Sequence, residues 1–240
     1  MGVRILALES ACAACSVALW RPDGPPFTRS RAMERGHTEA LMPMAVAVME
    51  ESESGFDTID AVAVTIGPGS FTGIRTGIAA AQGVALACDI PLIGVTTLEA
   101  VAHAVLSGGT AGRNGKEGRP VLVALETRRA DLYIQWFSPS LEPLGDAEAV
   151  SIAQIAGSLP DRPFAAAGDG IARLRDAFGD ADVIYPAGSG QPDAVDVAAL
   201  AAARWSDQDA AGASVGAPLR PLYLHPPQAT PAPDGGRARP

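Results

Sequence analysis

The sequence predicts an α/β protein of two lobes, the second a reduced version of the first, and three observations carry that prediction. Residues 3–8, 16–20 and 28–32 read as three linked strands at the start of the chain. Helical and strand patterns then alternate as far as residue 106. Residues 121–126 and 131–138 next repeat the opening strand pair, which makes the chain look like two related halves. At 240 residues and 48% hydrophobic content, the chain can bury roughly 70–75% of its unfolded surface, so a substantial core is expected.

Each element has its own warrant. Residues 3–8 are an almost continuous apolar run, and Arg21-Pro-Asp-Gly-Pro-Pro26 supplies the turn between the second and third strands. A helix is expected over 38–50, where Leu41, Met44, Ala45, Val48 and Met49 recur on one face; Pro43 inside it predicts a kink. Residues 61–66 are apolar and rich in β-branched side chains, and they stop at Gly67-Pro68-Gly69, a buried strand entering a tight turn. Ser70 reads as the N-cap of a helix over 71–87, roughly 25 Å long at 1.5 Å per residue. A strand over 91–95 and a helix over 97–106 follow, and the order β-β-β-α-β-α-β-α is that of a ribonuclease-H-like half of the actin and sugar-kinase architecture.

The expected domains are an N-terminal lobe over 1–106, a glycine-rich joint over 107–119 and a C-terminal lobe over 120–225 whose last segment packs back on the first lobe. A disordered Pro/Gly-rich tail over 226–240 completes the chain. Helices are expected near 151–158, 171–178 and 194–206, with little strand signal among them.

In the glycine-led helix, Gly73, Gly77, Ala81 and Ala85 fall at four-residue spacing, so another backbone can approach that face closely. Glycine within a helix costs up to about 1 kcal/mol against alanine, and close packing offsets it. The neighbour is either a second helix, a phosphate at the helix N-terminus, or the chain's own sheet. A P-loop is excluded, because Gly67, Gly69 and Gly73 have the wrong spacing and Ile74-Arg75 replaces Lys-Ser; the only lysine is Lys116.

A net charge of −9 with scattered arginines argues against unaided nucleic-acid binding. No apolar run reaches the ~18 residues of a membrane span and no signal-peptide core is legible, so a cytoplasmic location is expected. Cys12, Cys15 and Cys88 are too few for a disulfide framework, and the single Cys12-Ala-Ala-Cys15 lacks the second half of a zinc site.

Residues 5–19 (ILALESACAACSVAL), 37–39 (HTE), 67–75 (GPGSFTGIR) and 125–133 (LETRRADLY) together resemble the TsaB family, also called YeaZ, over roughly residues 3–225. Gly67, Pro68, Gly69, Ser70, Phe71, Thr72 and Arg75 carry the most specific part of the match. The resemblance implies the two-lobed actin-like fold. It also implies a non-catalytic partner of TsaD, the subunit that transfers a threonylcarbamoyl group to an adenosine of tRNA beside the anticodon. It further implies pairing through the first two helices with TsaD, or with a second copy when TsaD is absent, and an association with TsaE. Contact with tRNA would come only through that complex. Carried onto this chain, the contact residues are Thr38, Leu41, Met44, Ala45, Val48, Gly73, Thr76, Gly77, Ala80 and Ala81. Gly77→Leu is then expected to leave the monomer folded and to weaken the helix pair.

Glu9 and Glu126 end the first strand of each half, where actin-like ATPases, and TsaB-like sequences too, usually carry aspartate. The longer side chain argues against ATP hydrolysis, and the two are equally readable as paired cleft residues. No tightly bound cofactor is expected; ATP or ADP would sit only at an interface with TsaD. His37, His103 and His225 share no helix face, so no metal site and no Ser-His-Asp pattern is legible. Arg128, Asp131 and Tyr133 match a family motif, as does Tyr223, whereas His225 replaces the arginine usual there. A stand-alone actin-like ATPase or kinase and a self-associating structural homodimer are the alternatives.

Overall fold

The computed structural model describes residues 2–108, 118–188, 190–205 and 218–225. Most of the expected joint, Lys116 and the tail lie outside the described residues. Among the described residues, ten strands form two five-stranded sheets. In the first, β1 (Ile5–Glu9), β2 (Ala14–Trp20) and β3 (Phe27–Ala32) are antiparallel, and β4 (Ala61–Thr65) and β5 (Leu92–Val95) extend β1 in parallel, giving the order β3-β2-β1-β4-β5. The second sheet repeats that topology. Here β6 (Val121–Glu126), β7 (Asp131–Phe137) and β8 (Glu148–Ser151) are antiparallel, with β9 (Phe164–Ala167) and β10 (Val183–Ile184) parallel to β6 on its other side.

Alternation along the strands decides what covers each face. Leu6, Leu8, Val17, Leu19, Val62 and Val64 point to one side of the first sheet, where α1 (His37–Glu51, with Pro43 inside it) and α2 (Phe71–Cys88) close over them. Ile5, Ala7, Ala18, Ala61 and Ala63 point to the other side and meet α5 (Ala194–Arg204). In the second sheet, Val121, Val123 and Leu125 meet α3 (Thr97–Ser107), while Leu122, Ala124 and Leu132 face the short α4 (Ile152–Ala156) and the turns around Ile171 and Phe178.

The two halves therefore exchange helices. α3 follows the last strand of the first sheet yet packs on the second, and α5 follows the last strand of the second sheet yet packs on the first. α3 and α5 also touch each other, so a middle helical layer holds the sheets together. The division near 107–119 separates the strands of the two lobes but not the helices that cover them.

A buried side chain fixes α5. Ala194 N–H, one of the first-turn donors that a helix cannot satisfy itself, donates to Ser16 Oγ at 2.9 Å. Ser16→Ala leaves that donor buried without a partner and is expected to lower unfolding free energy by about 1–2 kcal/mol. Urea denaturation of the isolated chain measures it; an unchanged midpoint would show that α5 docks without this bond.

Three strands of the second lobe, β8 to β10, went unforeseen, and the expected helix over 171–178 is instead two single 3₁₀ turns, Asp169–Arg173 and Asp176–Phe178. Gly168 and Gly179, both at positive φ, bound this stretch.

Candidate functional site

The glycine turn docks on the end of β1. Ser70 N–H donates to Ala11 carbonyl oxygen at 2.7 Å, and the Ser70 hydroxyl caps α2 by accepting from Gly73 N–H at 3.3 Å. At Gly73 a Cβ would stand 2.0 Å from the Ser10 carbonyl oxygen, and the Ser10 hydroxyl donates to the Gly73 carbonyl at 2.9 Å. At Gly77 a Cβ would meet Ser10 Oγ at 2.7 Å and Val64 Cγ2 at 3.3 Å.

The small-residue stripe thus packs on the chain's own sheet. Gly73, Gly77 and Ala81, expected to contact a partner, are buried, as are Leu41, Ala45 and Val48 of α1. Met44 is half-buried against the same core. Of these only Leu41, buried itself, also borders the open side of the helix pair. The reason is local: the β1–β2 turn at Ser10 and Ala11 rises against α2 and needs a helix without side chains there.

A second stripe on α2 faces outward. Phe71, Thr72, Arg75, Thr76, Ala79 and Ala80 line an apolar groove of ≈ 670 Å³, with Thr38, Leu41 and Met42 of α1 forming its other wall. Thr38 Oγ1 and Thr76 Oγ1 bond across the helix pair at 3.2 Å. The groove runs on past Met42, Ala79 and Ala80 into a shallower stretch of ≈ 550 Å³ bounded by Phe56, Gly83, Val84, Ala87 and Cys88. Phe71 and Leu86 are 57% and 69% exposed, large apolar side chains left in water by the monomer. Thr38, Leu41, Thr76 and Ala80 of the expected set line this groove; Met42, Ala79 and Ala87, which also line it, were not in that set.

A polar cleft of ≈ 330 Å³ lies between the lobes, lined by residues such as Cys12, His37, Ser70, Glu126, Arg128, Arg129, Tyr133 and Asp169. Glu9 is not among its lining. It is fully buried beneath the β1 end, where Oε1 accepts from Ala11 N–H at 2.6 Å. Its Oε2 and Thr65 Oγ1 are buried without a partner in hydrogen-bond geometry. Burial pushes the Glu9 carboxyl up to about 8; the Ala11 bond opposes this, the Asp193 charge adds to it, and the nearby Thr65 hydroxyl eases it.

Glu126 does face the cleft, in an ion pair with Arg173 at 3.0 Å, while its own N–H donates to Asp169 at 2.8 Å. The two glutamates do not pair with each other: Glu9 is buried beneath the end of β1, and Glu126 is held by Arg173. Burial also raises Asp169, although the Glu126 N–H and Gln191 hydrogen bonds oppose it. Cys12 and Cys15 are free thiols, both raised by burial.

The histidines are dispersed. His37 Nε2 meets the Cys12 carbonyl oxygen at 3.1 Å, and His225 lies against Tyr133 with Nε2 3.4 Å from Asp131 Oδ2. Contrary to the sequence expectation, a Ser-His-Asp chain exists: Ser107 Oγ is 3.1 Å from His103 Nε2, and His103 Nδ1 is 2.7 Å from Asp196 Oδ1. Sequence spacing hid it because Asp196 belongs to α5. Its setting is that of a tie between α3 and α5. Ser107 sits at the C-terminal end of α3, where carbonyls face a developing negative charge, and the adjacent Gly108 N–H is already committed to the Ala104 carbonyl. Among the described residues no three His, Cys, Asp or Glu side chains gather as metal ligands do.

Residues 31–176 match the family model of TsaD, tRNA N6-adenosine threonylcarbamoyltransferase. The chain is 40% identical over 131 residues to the tRNA threonylcarbamoyladenosine biosynthesis protein TsaB of Escherichia coli (strain K12), covering 55% of this chain and 53% of that one. It is 35% identical over 129 residues to the TsaB of Haemophilus influenzae, covering 54% of this chain and 51% of that one. The chain thus spans about half the length of the curated TsaB relatives it matches. Among solved structures, YeaZ from Pseudomonas aeruginosa superposes with a TM-score of 0.76 at 26% identity, over 92% of this chain and all of that one. A second structure, described as an uncharacterized protein with similarity to peptidase YEAZ from the same organism, superposes with a TM-score of 0.78 at 25% identity, over 93% and 100%.

Proposed function

Because the chain belongs to the tRNA N6-adenosine threonylcarbamoyltransferase (TsaD) family and within it resembles TsaB, or YeaZ, we propose that it is a non-catalytic partner subunit. Its partner is a TsaD transferase, and its role is to activate threonylcarbamoyl transfer to the tRNA adenosine beside the anticodon. The observation that carries this reading is the open apolar groove along α1 and α2, with Phe71 exposed on its wall. A face of that kind is costly to leave in water and suits a helical partner surface. The same face would serve a homodimer when TsaD is absent, and TsaE would join the assembled pair.

The cleft supports the non-catalytic part. Glu9 lies beneath its surface and Glu126 is held by Arg173, so neither is a free carboxylate poised for a phosphate-bound cation. Nucleotide, in this reading, sits between subunits and is not retained by this chain alone. Among the described residues no helix is long and apolar enough to cross a membrane. In this reading the chain works in the cytoplasm, beside its tRNA-modifying partner.

Ala79 is the position to test, since it is exposed on the groove and borders both of its stretches. Ala79→Arg is expected to weaken binding to the TsaD of the same cell by about 30-fold or more and to abolish the dependence of transfer on this chain. Its unfolding midpoint should match the parent's. Co-elution and transfer assays read the outcome; transfer to tRNA that is equally fast without this chain would overturn the proposal.

A further inference from the structure

The described part of the chain ends in a strap that crosses back over the first lobe. Leu219 inserts against Gly94 and the first core, and Leu222 N–H donates to the Ile66 carbonyl at 2.7 Å, fixing the strap beside the glycine turn. Tyr223 then lies over the start of α2. Its ring stacks on Phe71 at 5.5 Å, and its hydroxyl accepts from Arg75 Nε at 2.8 Å. The Arg75 guanidinium in turn sits 3.7 Å above the Phe71 ring. One residue pair further, His225 rests on Tyr133 of the second lobe.

Phe71 and Arg75 are also walls of the groove. We propose that Tyr223 is a positioning residue for partner recognition: it presets Phe71 and Arg75 in the pose that the TsaD partner reads, which makes the C-terminal strap part of the interaction surface. The proposal rests on the partner-subunit reading. An exposed arginine and an exposed phenylalanine lose rotamer freedom when a partner immobilises them, and each such side chain weakens association. Stacking and the hydroxyl bond impose that loss during folding, before the partner arrives. Arginine and aromatic side chains are also the residue types that dominate interface energies, so their pose matters more than that of the alanines beside them.

The test is the affinity of the full chain for TsaD, measured by titration calorimetry with the Ala79→Arg variant alongside. Tyr223→Ala is expected to weaken binding about 20-fold. Tyr223→Phe, which keeps the stack and loses only the hydroxyl bond, is expected to weaken it about threefold. Because Tyr223 acts through its two neighbours, Tyr223→Ala should add nothing in a chain already carrying Phe71→Ala and Arg75→Ala. Strain or unfolding of the strap would not give that non-additivity. Affinity within twofold of the parent for Tyr223→Ala, or a full additional loss in the triple variant, overturns the proposal. If Ala79→Arg abolishes binding while Tyr223→Ala is silent, the strap inference alone fails; if both are silent or no complex forms, the partner reading fails with it.

Discussion

Gly77→Leu is expected to destabilise the isolated chain by about 4 kcal/mol, and Gly73→Leu by more, in place of the intact monomer that an interface role for this stripe implies. The ideal Cβ at Gly77 already reaches Ser10 Oγ at 2.7 Å and Val64 at 3.3 Å, and leucine adds three more carbons to a site bounded by β4. At Gly73 the obstacle is backbone: the Ser10 carbonyl oxygen lies 2.0 Å from a Cβ, so α2 must move away from β1. That movement also breaks the Ser10 hydroxyl bond to the Gly73 carbonyl. The gain in helix propensity on replacing glycine, at most about 1 kcal/mol, does not compensate. Chemical denaturation without any partner decides it. Unfolding free energies within 1 kcal/mol of the parent would mean that the stripe is loosely packed and open to another chain. Gly83 is the informative contrast: a Cβ there meets nothing within 4 Å, so Gly83→Ala should be neutral or slightly stabilising.

This contrast also shows where the sequence was legible and where it was not. The first sheet and its helices could be read because their strands are β-branched and apolar, and because turn residues punctuate them. The repeat of the first two strands announced the second lobe. Phe164–Ala167, however, has no β-branched residue and three alanines; pairing with β6 on one side and β10 on the other makes it a strand. Both expected contact helices form, and most of the stripe expected to meet a partner is buried against the chain's own sheet. A four-residue stripe of glycine and alanine looks the same whether its neighbour is another protein or a turn 60 residues earlier in the chain. What decides is the height of the β1–β2 turn at Ser10, a property of three dimensions. The outward stripe through Thr72, Thr76, Ala79, Gly83 and Ala87 has similar small residues, and of these only Thr76 was among the expected contacts. Likewise Arg173 and Asp169, which hold the cleft end of β6, lie more than 40 residues from Glu126 and have no local signature.

Glu9→Gln is expected to stabilise the chain at pH 8 by several kcal/mol and to leave it nearly unchanged near pH 4.5. Burial pushes the Glu9 carboxyl from an ordinary 4.5 to about 8, so between those values the unfolded chain has released a proton that the native chain still holds. Stability must then fall with rising pH, by about 1.4 kcal/mol per pH unit, with a total on the order of 5 kcal/mol lost by pH 8 and above. Below pH 4.5 both states are protonated and the cost disappears. Asp169 and Asp193, raised in the same direction mainly by burial, slope the curve the same way at lower pH and remain in the variant. Glutamine keeps the oxygen that accepts from Ala11 N–H and offers an amide donor to the unpartnered Thr65 hydroxyl oxygen. Urea unfolding of parent and variant at intervals between pH 4.5 and 8.5 should give curves that converge in acid and diverge toward base. Parallel curves would show that Glu9 is ionised in the native chain. The converging result bears on function as well as stability: near neutral pH a glutamic acid that holds its proton at the end of β1 offers no anionic charge to a cation or phosphate in the cleft. In that outcome the position that actin-like enzymes give to a short carboxylate holds a neutral core residue, as the proposed partner role permits.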